Sequence, residues 1–277
     1  MTDDRLETAR LFSREDLEAV AEVRIAGGLA AIYTSRSPCK ESANEDAALL
    51  GPCSLESGIL VIADGLGGER AGGDAAALAV QALTEAVTQG LDDDAMLRTA
   101  ILNGVETANL AVQAMGVGAA TTLAVAEIRG ETVRTYHVGD SMILVVGQRG
   151  KIKLQTTSHS PVGYAVEAGV LDEREAMHHE DRHIVSNVIG SPDMKIEIGP
   201  IIRLAPRDTV LLASDGLFDN LHVDEVVSRV RKGPLRKAVE RLVTDARRRM
   251  TEAQSGHPSK PDDLTIVAYR PSGSQRK

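Results

Sequence analysis

Apolar positions along this chain gather into short runs separated by turn-forming residues. Gly28 to Tyr33, Ala47-Ala48-Leu49-Leu50 and Ile59-Leu60-Val61-Ile62-Ala63 are almost wholly apolar. Runs of this length predict strands buried in a core. The pattern changes at Ala119, and the segments ATTLAVAEI, TVRTYHVG and MILVVG predict a three-strand meander, with turns at Arg129-Gly130 and near Gly139. Thr209 to Ala213 and Leu264 to Tyr269 complete the set of strands. Asp74 to Thr88 is alanine-rich, carries Leu78, Val80, Leu83 and Val87, and meets Gly90, which predicts a helix stopping there. Asp92-Asp93-Asp94 offer capping carboxylates to a second helix from Ala95 to about Met115. Two more helices are expected over 224–231 and 234–250. Residues 1 to about 23 scatter Leu6, Leu11, Phe12, Leu17 and Val20 among polar positions, which predicts a peripheral helix or a partly ordered extension. Ser35 to Ala43, with Pro38, reads as a loop. Residues 156–195 are mixed and show little periodicity, as in a functional flap. Antiparallel runs of strands with helices inserted early and late give an α+β pattern rather than alternating βαβ. The expected organisation is an extension over 1–25, one domain over 26–271 with its flap at about 156–195, and a tail over 272–277.

Composition narrows the function. Aromatic residues make up 2% of the chain, so its core is aliphatic. The formal charge of −9 argues against a nucleic-acid or anionic-membrane binder and suits a site that concentrates carboxylates for a cation. Cys39 and Cys53 are too few for a disulfide framework or a zinc site of their own and read as free thiols in a reducing compartment. No apolar run reaches a membrane span, and the charged start MTDDRLETARLF does not resemble a secretory signal, so a soluble cytoplasmic protein is expected.

One device recurs. A strand runs into a small residue, then Asp, then another small residue, at Ala63-Asp64-Gly65, Gly139-Asp140-Ser141 and Ser214-Asp215-Gly216. Two acidic pairs, Glu45-Asp46 and Asp262-Asp263, begin strands. Any one Asp-Gly is ordinary turn chemistry. Together these positions can converge on one rim. A set of carboxylates without histidine or cysteine partners suits a hard cation, Mg²⁺ or Mn²⁺. Two such ions can lower the pKa of a water and aim it at phosphorus.

The ordered motifs NED, DGLGG, GAATT, HVGDS, SDGLFD and DDLT, from about Asn44 to Tyr269, resemble the metal-dependent Ser/Thr protein phosphatases of type 2C (the PPM family), in particular its bacterial members. That resemblance implies a four-layer α/β/β/α sandwich, two central antiparallel sheets flanked by helices. It implies Mn²⁺- or Mg²⁺-dependent hydrolysis of phosphoserine and phosphothreonine in proteins, by direct attack of a metal-bridging hydroxide. It also implies two core ions with room for a third, phosphorylated proteins and a cognate kinase as partners, and a monomer in bacterial signalling. By position, Asp64 resembles the carboxylate bridging both core metals, and Gly65 a carbonyl ligand of one. Asp215 and Asp262 resemble ligands of the other, with Asp64 and Asp215 the catalytic pair. Glu45 and Asp46 match an acidic pair near the first ion. Asp140 resembles a ligand of a third metal shared with Asp215, which Asp219 would support. Thr121 and Thr122 match a structural pair.

The chain departs from the family pattern at Glu41, where an arginine usually grips substrate phosphate. Arg36 is the first candidate for that task, because a guanidinium binds bidentately, and Lys40 the second. Leu66 stands where eukaryotic members carry histidine, and Glu69 where bacterial members often do, so the proton donor to the leaving alcohol is left open. The run His178-His179-Glu180-Asp181-Arg182-His183 is not H-E-x-x-H and reads as structural. His159 reads as a loop hydrogen-bonder. No phosphate-cradling G-x-x-x-x-G-K-[ST] is present, and G-x-G-x-x-G fails at Arg70. Arg247-Arg248-Arg249 suits a helix C-terminus. Two other readings remain beside the phosphoprotein phosphatase: a weak or inactive relative that binds phosphoproteins, and a phosphatase of small phosphoesters.

Overall fold

The computed structural model describes residues 9–66, 71–92, 96–116, 118–253 and 256–272. The chain opens with strands β1 (Arg10–Ser13), β2 (Ala21–Ile25), β3 (Gly28–Ser35), β4 (Ala47–Pro52), β5 (Ser57–Ala63) and β6 (Gly65–Leu66). Helices α1 (Ala71–Asp92) and α2 (Leu97–Ala114) follow, then β7 (Ala120–Thr121), β8 (Leu123–Arg129), β9 (Thr132–Val138), β10 (Met142–Val146) and β11 (Ile152–Gln155). Short helices α3 (Pro161–Glu167) and α4 (Glu173–Ala176) and a 3₁₀ turn (Glu180–His183) lead to β12 (Glu197–Ile198), β13 (Ile202–Arg203) and β14 (Thr209–Ala213). The last elements are α5 (Asp215–Phe218), α6 (Val223–Val230), α7 (Leu235–Thr251) and β15 (Leu264–Pro271).

Two antiparallel sheets form the centre. The first has seven strands in the order β1-β4-β5-β8-β9-β12, with β13 also on β9; the second has six, in the order β11-β10-β14-β15-β3-β2. Period-2 alternation makes each central strand serve two layers. On β5, Ile59, Val61 and Ala63 face a core shared with α1 and α2, while Leu60 and Ile62 face the space between the sheets. On β15, Val267 and Tyr269 enter that same space, and Leu264, Ile266 and Ala268 pack in a third core against α6 and α7. Three apolar cores between four layers give the α/β/β/α sandwich. Because both faces of these strands are buried, they read as continuous apolar runs.

Several local expectations differ from the structure. Residues Arg10–Ser13 and Ala21–Ile25 are strands, where a peripheral helix or loose extension is expected. β1 pairs with β4 and β2 with β3, and Phe12, Val23 and Ile25 point into the inter-sheet core. The expected meander is also divided. β8 and β9 pair in the first sheet, but β10 crosses at Gly139-Asp140 to pair with β14 in the second. Helix α1 runs through Gly90 to Asp92. Helix α2 begins at Leu97, where Met96 provides no side-chain cap; Asp93 and Asp94, the expected caps, lie outside the described residues. The 156–195 segment contains α3, α4 and the 3₁₀ turn.

Candidate active site

Register brings the acidic strand ends to one edge. Ala47 lies opposite Ala63, so Asp46, entering β4, meets Asp64, leaving β5. In the second sheet Ala213 lies opposite both Met142 and Ile266, so Asp140 before β10, Asp215 after β14 and Asp262 before β15 leave from the same edge. The two edges meet where Ser214 Oγ donates to Asp46 Oδ2 at 2.9 Å and accepts from the Thr265 amide at 3.0 Å.

Small residues beside the aspartates permit the closeness. A Cβ on Gly216 would lie 1.9 Å from the Asp263 carbonyl oxygen, so only glycine lets the turn after β14 pack on the start of β15. A Cβ on Gly65 would lie 2.3 Å from the Gly72 carbonyl group, and one on Gly72 would lie 3.0 Å from Glu45 Oε1. Glu45 therefore sits against the crossing of the Asp64-Gly65 turn with the start of α1. Gly67, Gly68, Glu69 and Arg70 lie outside the described residues.

Backbone bonds fix Asp64. Its amide donates to Thr122 Oγ1 at 2.9 Å, and its carbonyl accepts from the Thr122 amide at 2.9 Å and Thr121 Oγ1 at 2.8 Å. Thr122 Oγ1 also bonds Ser141 Oγ at 2.7 Å, which ties the Asp64 turn to the Asp140 turn.

The electrostatics are those of crowded acids. Burial, then Asp46, Asp215, Asp140 and Asp262, hold the Asp64 carboxyl well above the usual carboxylate range. Burial and the neighbouring Asp263 do the same to Asp46, against hydrogen bonds from Thr265 and Ser214. Asp140 is pushed up to about 7 by burial and by Asp215 and Asp219. Burial also raises Asp215 and Asp262. Asp46 is 2% exposed, and its Oδ1 has no hydrogen-bond partner among the described residues. An orphaned carboxylate oxygen among mutually repelling carboxylates fits a divalent cation: the donors are hard oxygens, and their repulsion is what a cation removes.

Two lysines reach the rim. Lys40 pairs with Glu45 and, at 2.7 Å, with Asp263 Oδ2. Lys260 Nζ contacts Asp215, Asp219 and Asp262. Arg36 lies outside this group. Its amide donates to Asp16 Oδ1 at 2.6 Å, and its Nε pairs with Asp16 Oδ2 at 3.1 Å. Lys260, Asp263 and Ser214 are the rim residues that the motif reading passed over as participants. Asp263 was visible in the acidic pair, whereas nothing local marks Lys260 except its place two residues before Asp262.

The family profile described as Protein phosphatase 2C matches residues 39–255, most of the chain. The chain belongs to the protein phosphatase 2C family. Protein phosphatase PhpP of Streptococcus pneumoniae is 34% identical over 194 residues, covering 67% of this chain and 78% of that protein. Among solved structures, the Streptococcus agalactiae serine/threonine phosphatase superposes with a TM-score of 0.72 at 26% identity, covering 87% of this chain and 98% of its own. The catalytic domain of the serine/threonine phosphatase PstP, solved with 2 manganese ions, gives a TM-score of 0.69 at 24% identity, covering 87% and 96%. This chain is thus an enzyme of the bacterial PP2C-type Ser/Thr phosphatases, a metal-dependent hydrolase family.

Beside the carboxylate rim this PP2C-family fold holds a cavity of about 540 Å³. Asp140, Asp215 and Asp219 form one side of it, and Ser158, Val162 and Met177 of the 156–195 segment the other. That segment is anchored by His159, whose ring stacks on His137 with centroids 4.4 Å apart. His137, His159 and Glu197 could be taken for a further metal site. Protonation argues otherwise. His159 Nδ1 accepts from the Gly139 amide at 3.0 Å, which places its proton on Nε2, 3.2 Å from Glu197 Oε2. His137 Nε2 donates to the Thr157 carbonyl at 2.9 Å. His137 alone keeps a bare ring nitrogen, its Nδ1 having no partner among the described residues, whereas His159 has no lone pair left to offer a metal. His179 accepts from the Asp181 amide and caps the 3₁₀ turn, with no distant ligand near it among the described residues. No described helix is long and apolar enough to cross a membrane.

Proposed function

We propose that this chain hydrolyses phosphoserine and phosphothreonine in proteins, transferring the phosphoryl group directly to water with no phosphoenzyme, and that it does so with two core Mn²⁺ or Mg²⁺ ions. The observation that carries this reading is the orphaned oxygen of Asp46 within a ring of carboxylates that repel one another. Glu45, Asp46, Asp64, the Gly65 carbonyl, Asp215 and Asp262 would hold the core ions, and Asp140 with Asp215 and Asp219 would serve an outer position. PstP, a structural neighbour, was solved with manganese, which favours Mn²⁺ as the first ion to try. When bound, the ions neutralise phosphate charge and lower the pKa of a water.

The chain's own residues do the rest. Thr121 and Thr122 fix the backbone that aims Asp64, and Ser214 holds Asp46 against the second sheet. Asp64 and Asp215 are the catalytic carboxylates, one from each sheet. Of the two phosphate-binding candidates, Lys40 stands at the rim while Arg36 is engaged by Asp16, so Lys40 is the better placed. The cavity beside Asp140 and Asp215 gives room for a substrate segment. A phosphorylated protein, and a kinase that makes it, are the partners this chemistry requires, in cytoplasmic bacterial signalling.

The test is release of phosphate from a phosphothreonine peptide. Asp64→Ala and Asp215→Ala should each cost about 100-fold or more in kcat/KM, which is about 3 kcal/mol or more of transition-state stabilisation. Full activity in both variants would overturn the reading. Glu41, at the position of the usual phosphate-gripping arginine, favours one alternative, a phosphoprotein binder with weak or no turnover. Tight phosphopeptide binding without hydrolysis at saturating Mn²⁺ would select it. Faster turnover of small phosphoesters than of phosphopeptides would select the small-molecule phosphatase.

A further inference from the structure

Lys260, like Lys40, brings to the rim a charge opposite to the site's, and its position is built from outside the site. Its backbone is clamped by a single buried amide. The Lys260 amide donates to Asn220 Oδ1 at 2.9 Å, and Asn220 Nδ2 donates back to the Lys260 carbonyl at 2.8 Å. Asn220 has no exposed surface; it also bonds the Gly216 carbonyl at 2.9 Å, and its own carbonyl accepts from Arg249 Nη1 at 2.9 Å. Arg249 is held by Glu225 at 2.6 Å and by Ser259 Oγ, which donates to its carbonyl at 2.7 Å. Pro261 follows and fixes the next φ. Helices α6 and α7 thereby set where Lys260 starts.

Its ammonium ends among three carboxylates: Asp215 Oδ2 at 2.6 Å, Asp219 Oδ2 at 2.8 Å and Asp262 Oδ2 at 3.1 Å. An ammonium has three N–H donors and no acceptor; two of them are hydrogen-bonded to Asp215 and Asp219, and Asp262 adds an ion pair. Asp219 and Asp262 come from different turns, so the three oxygens converge only through the fold. A divalent ion takes carboxylate oxygens at roughly 2.0–2.6 Å and would need the space the ammonium fills. Ammonium and metal therefore exclude each other between Asp215 and Asp219.

We infer that Lys260 is a built-in cation that takes the outer position of the site, so that the chain carries two divalent ions and one fixed ammonium where its acidic residues would otherwise hold a third ion. This rests on the two-ion reading of the core. Hydrogen-bonded to Asp215 and Asp219, Lys260 acts as a fixed positive charge that positions both.

The experiment counts Mn²⁺ bound per chain, by titrating the free-Mn²⁺ electron paramagnetic resonance signal with the full-length protein. The unaltered chain should bind two ions and Lys260→Gln three, the additional one more weakly. In EDTA, Lys260→Gln should also melt below the unaltered chain, and Mn²⁺ should restore it. Asp219→Ala gives an independent check. With the lysine in place it should leave the count at two, whereas loss of an ion from three would show that Asp219 holds metal. Equal counts in the unaltered chain and Lys260→Gln overturn the inference and leave the phosphatase reading intact if ions are bound. No ion in either protein overturns both.

Discussion

At the scale of residues, the site is a balance between carboxylate repulsion and cations. Asp64 is surrounded by Asp46, Asp140, Asp215 and Asp262, and its carboxyl is held well above the usual range by burial and by them. Replacing it with asparagine removes one of the repelling charges. Asp64→Asn should therefore raise the melting temperature of the EDTA-treated protein, by about 1 kcal/mol or roughly 2–4 °C, while abolishing Mn²⁺-induced stabilisation and activity. Calorimetry with and without Mn²⁺ checks both halves. The sign of the pH effect follows from the same crowding. A carboxyl whose folded pKa lies above its unfolded value stabilises the fold when protonated, and that contribution is lost as pH rises through the folded pKa. For Asp140 the folded value is about 7, so the metal-free protein should lose stability between about pH 4 and pH 7. Divalent ions compete with protons at the core carboxylates, which are also raised, so apparent Mn²⁺ affinity should climb as pH rises. A flat profile from pH 5.5 to 7.5 would contradict this. Lys40 and Arg36 divide on position: Lys40→Ala should lower kcat/KM on a phosphopeptide more than Arg36→Ala, because Lys40 alone reaches Glu45 and Asp263. Asp64, Asp140 and Asp215 were legible in the sequence because each follows a strand and is flanked by small residues, and Asp46 and Asp262 because each sits in an acidic pair that precedes one. Lys260 was not, because its partners lie in turns far along the chain and only the fold joins them.

At the scale of elements, legibility followed burial. β5, β14 and β15 are buried on both faces, and their apolar runs mark them without help from neighbours. β10 is an equally clear run, but local periodicity says nothing of which strand it will pair with. It leaves the β8–β9 hairpin at Gly139 and joins the second sheet. That crossing matters to the site, since it carries Asp140 to the edge where Asp215 leaves. The early strands were hidden for another reason. β1 and β2 are short, and only alternate residues (Phe12, Val23 and Ile25) enter the core. The alternation in Ala21-Glu22-Val23-Arg24-Ile25 was the available signal. Each of those buried side chains stabilises by about 1.5–3 kcal/mol. Deleting residues 1–25 should thus destabilise the protein by several kcal/mol, as read by urea unfolding. A truncated chain as stable as the full one would show that these strands are dispensable. Gly216→Ala probes the other junction. Its methyl would collide with the Asp263 carbonyl, and overpacking of this kind costs about 1–3 kcal/mol.

At the scale of the whole molecule, the sandwich is a device for making two sheets end at one place. Three aliphatic cores hold the layers, and the first sheet delivers Asp46 and Asp64 while the second delivers Asp140, Asp215 and Asp262. Neither sheet alone gathers the set, and the hydrogen bonds of Ser214 to Asp46 and of Thr122 to Ser141 join the halves. The ordered motifs made this architecture readable through family resemblance, whereas the convergence itself depends on strand register that no single segment contains. The claim at the centre of the account is that cations complete this convergence and make it a phosphatase. The most direct measurement is phosphate release from a phosphothreonine peptide by protein stripped with EDTA, then reconstituted with Mn²⁺. The stripped protein should show no turnover and should recover fully on adding Mn²⁺. Undiminished turnover without metal would contradict it.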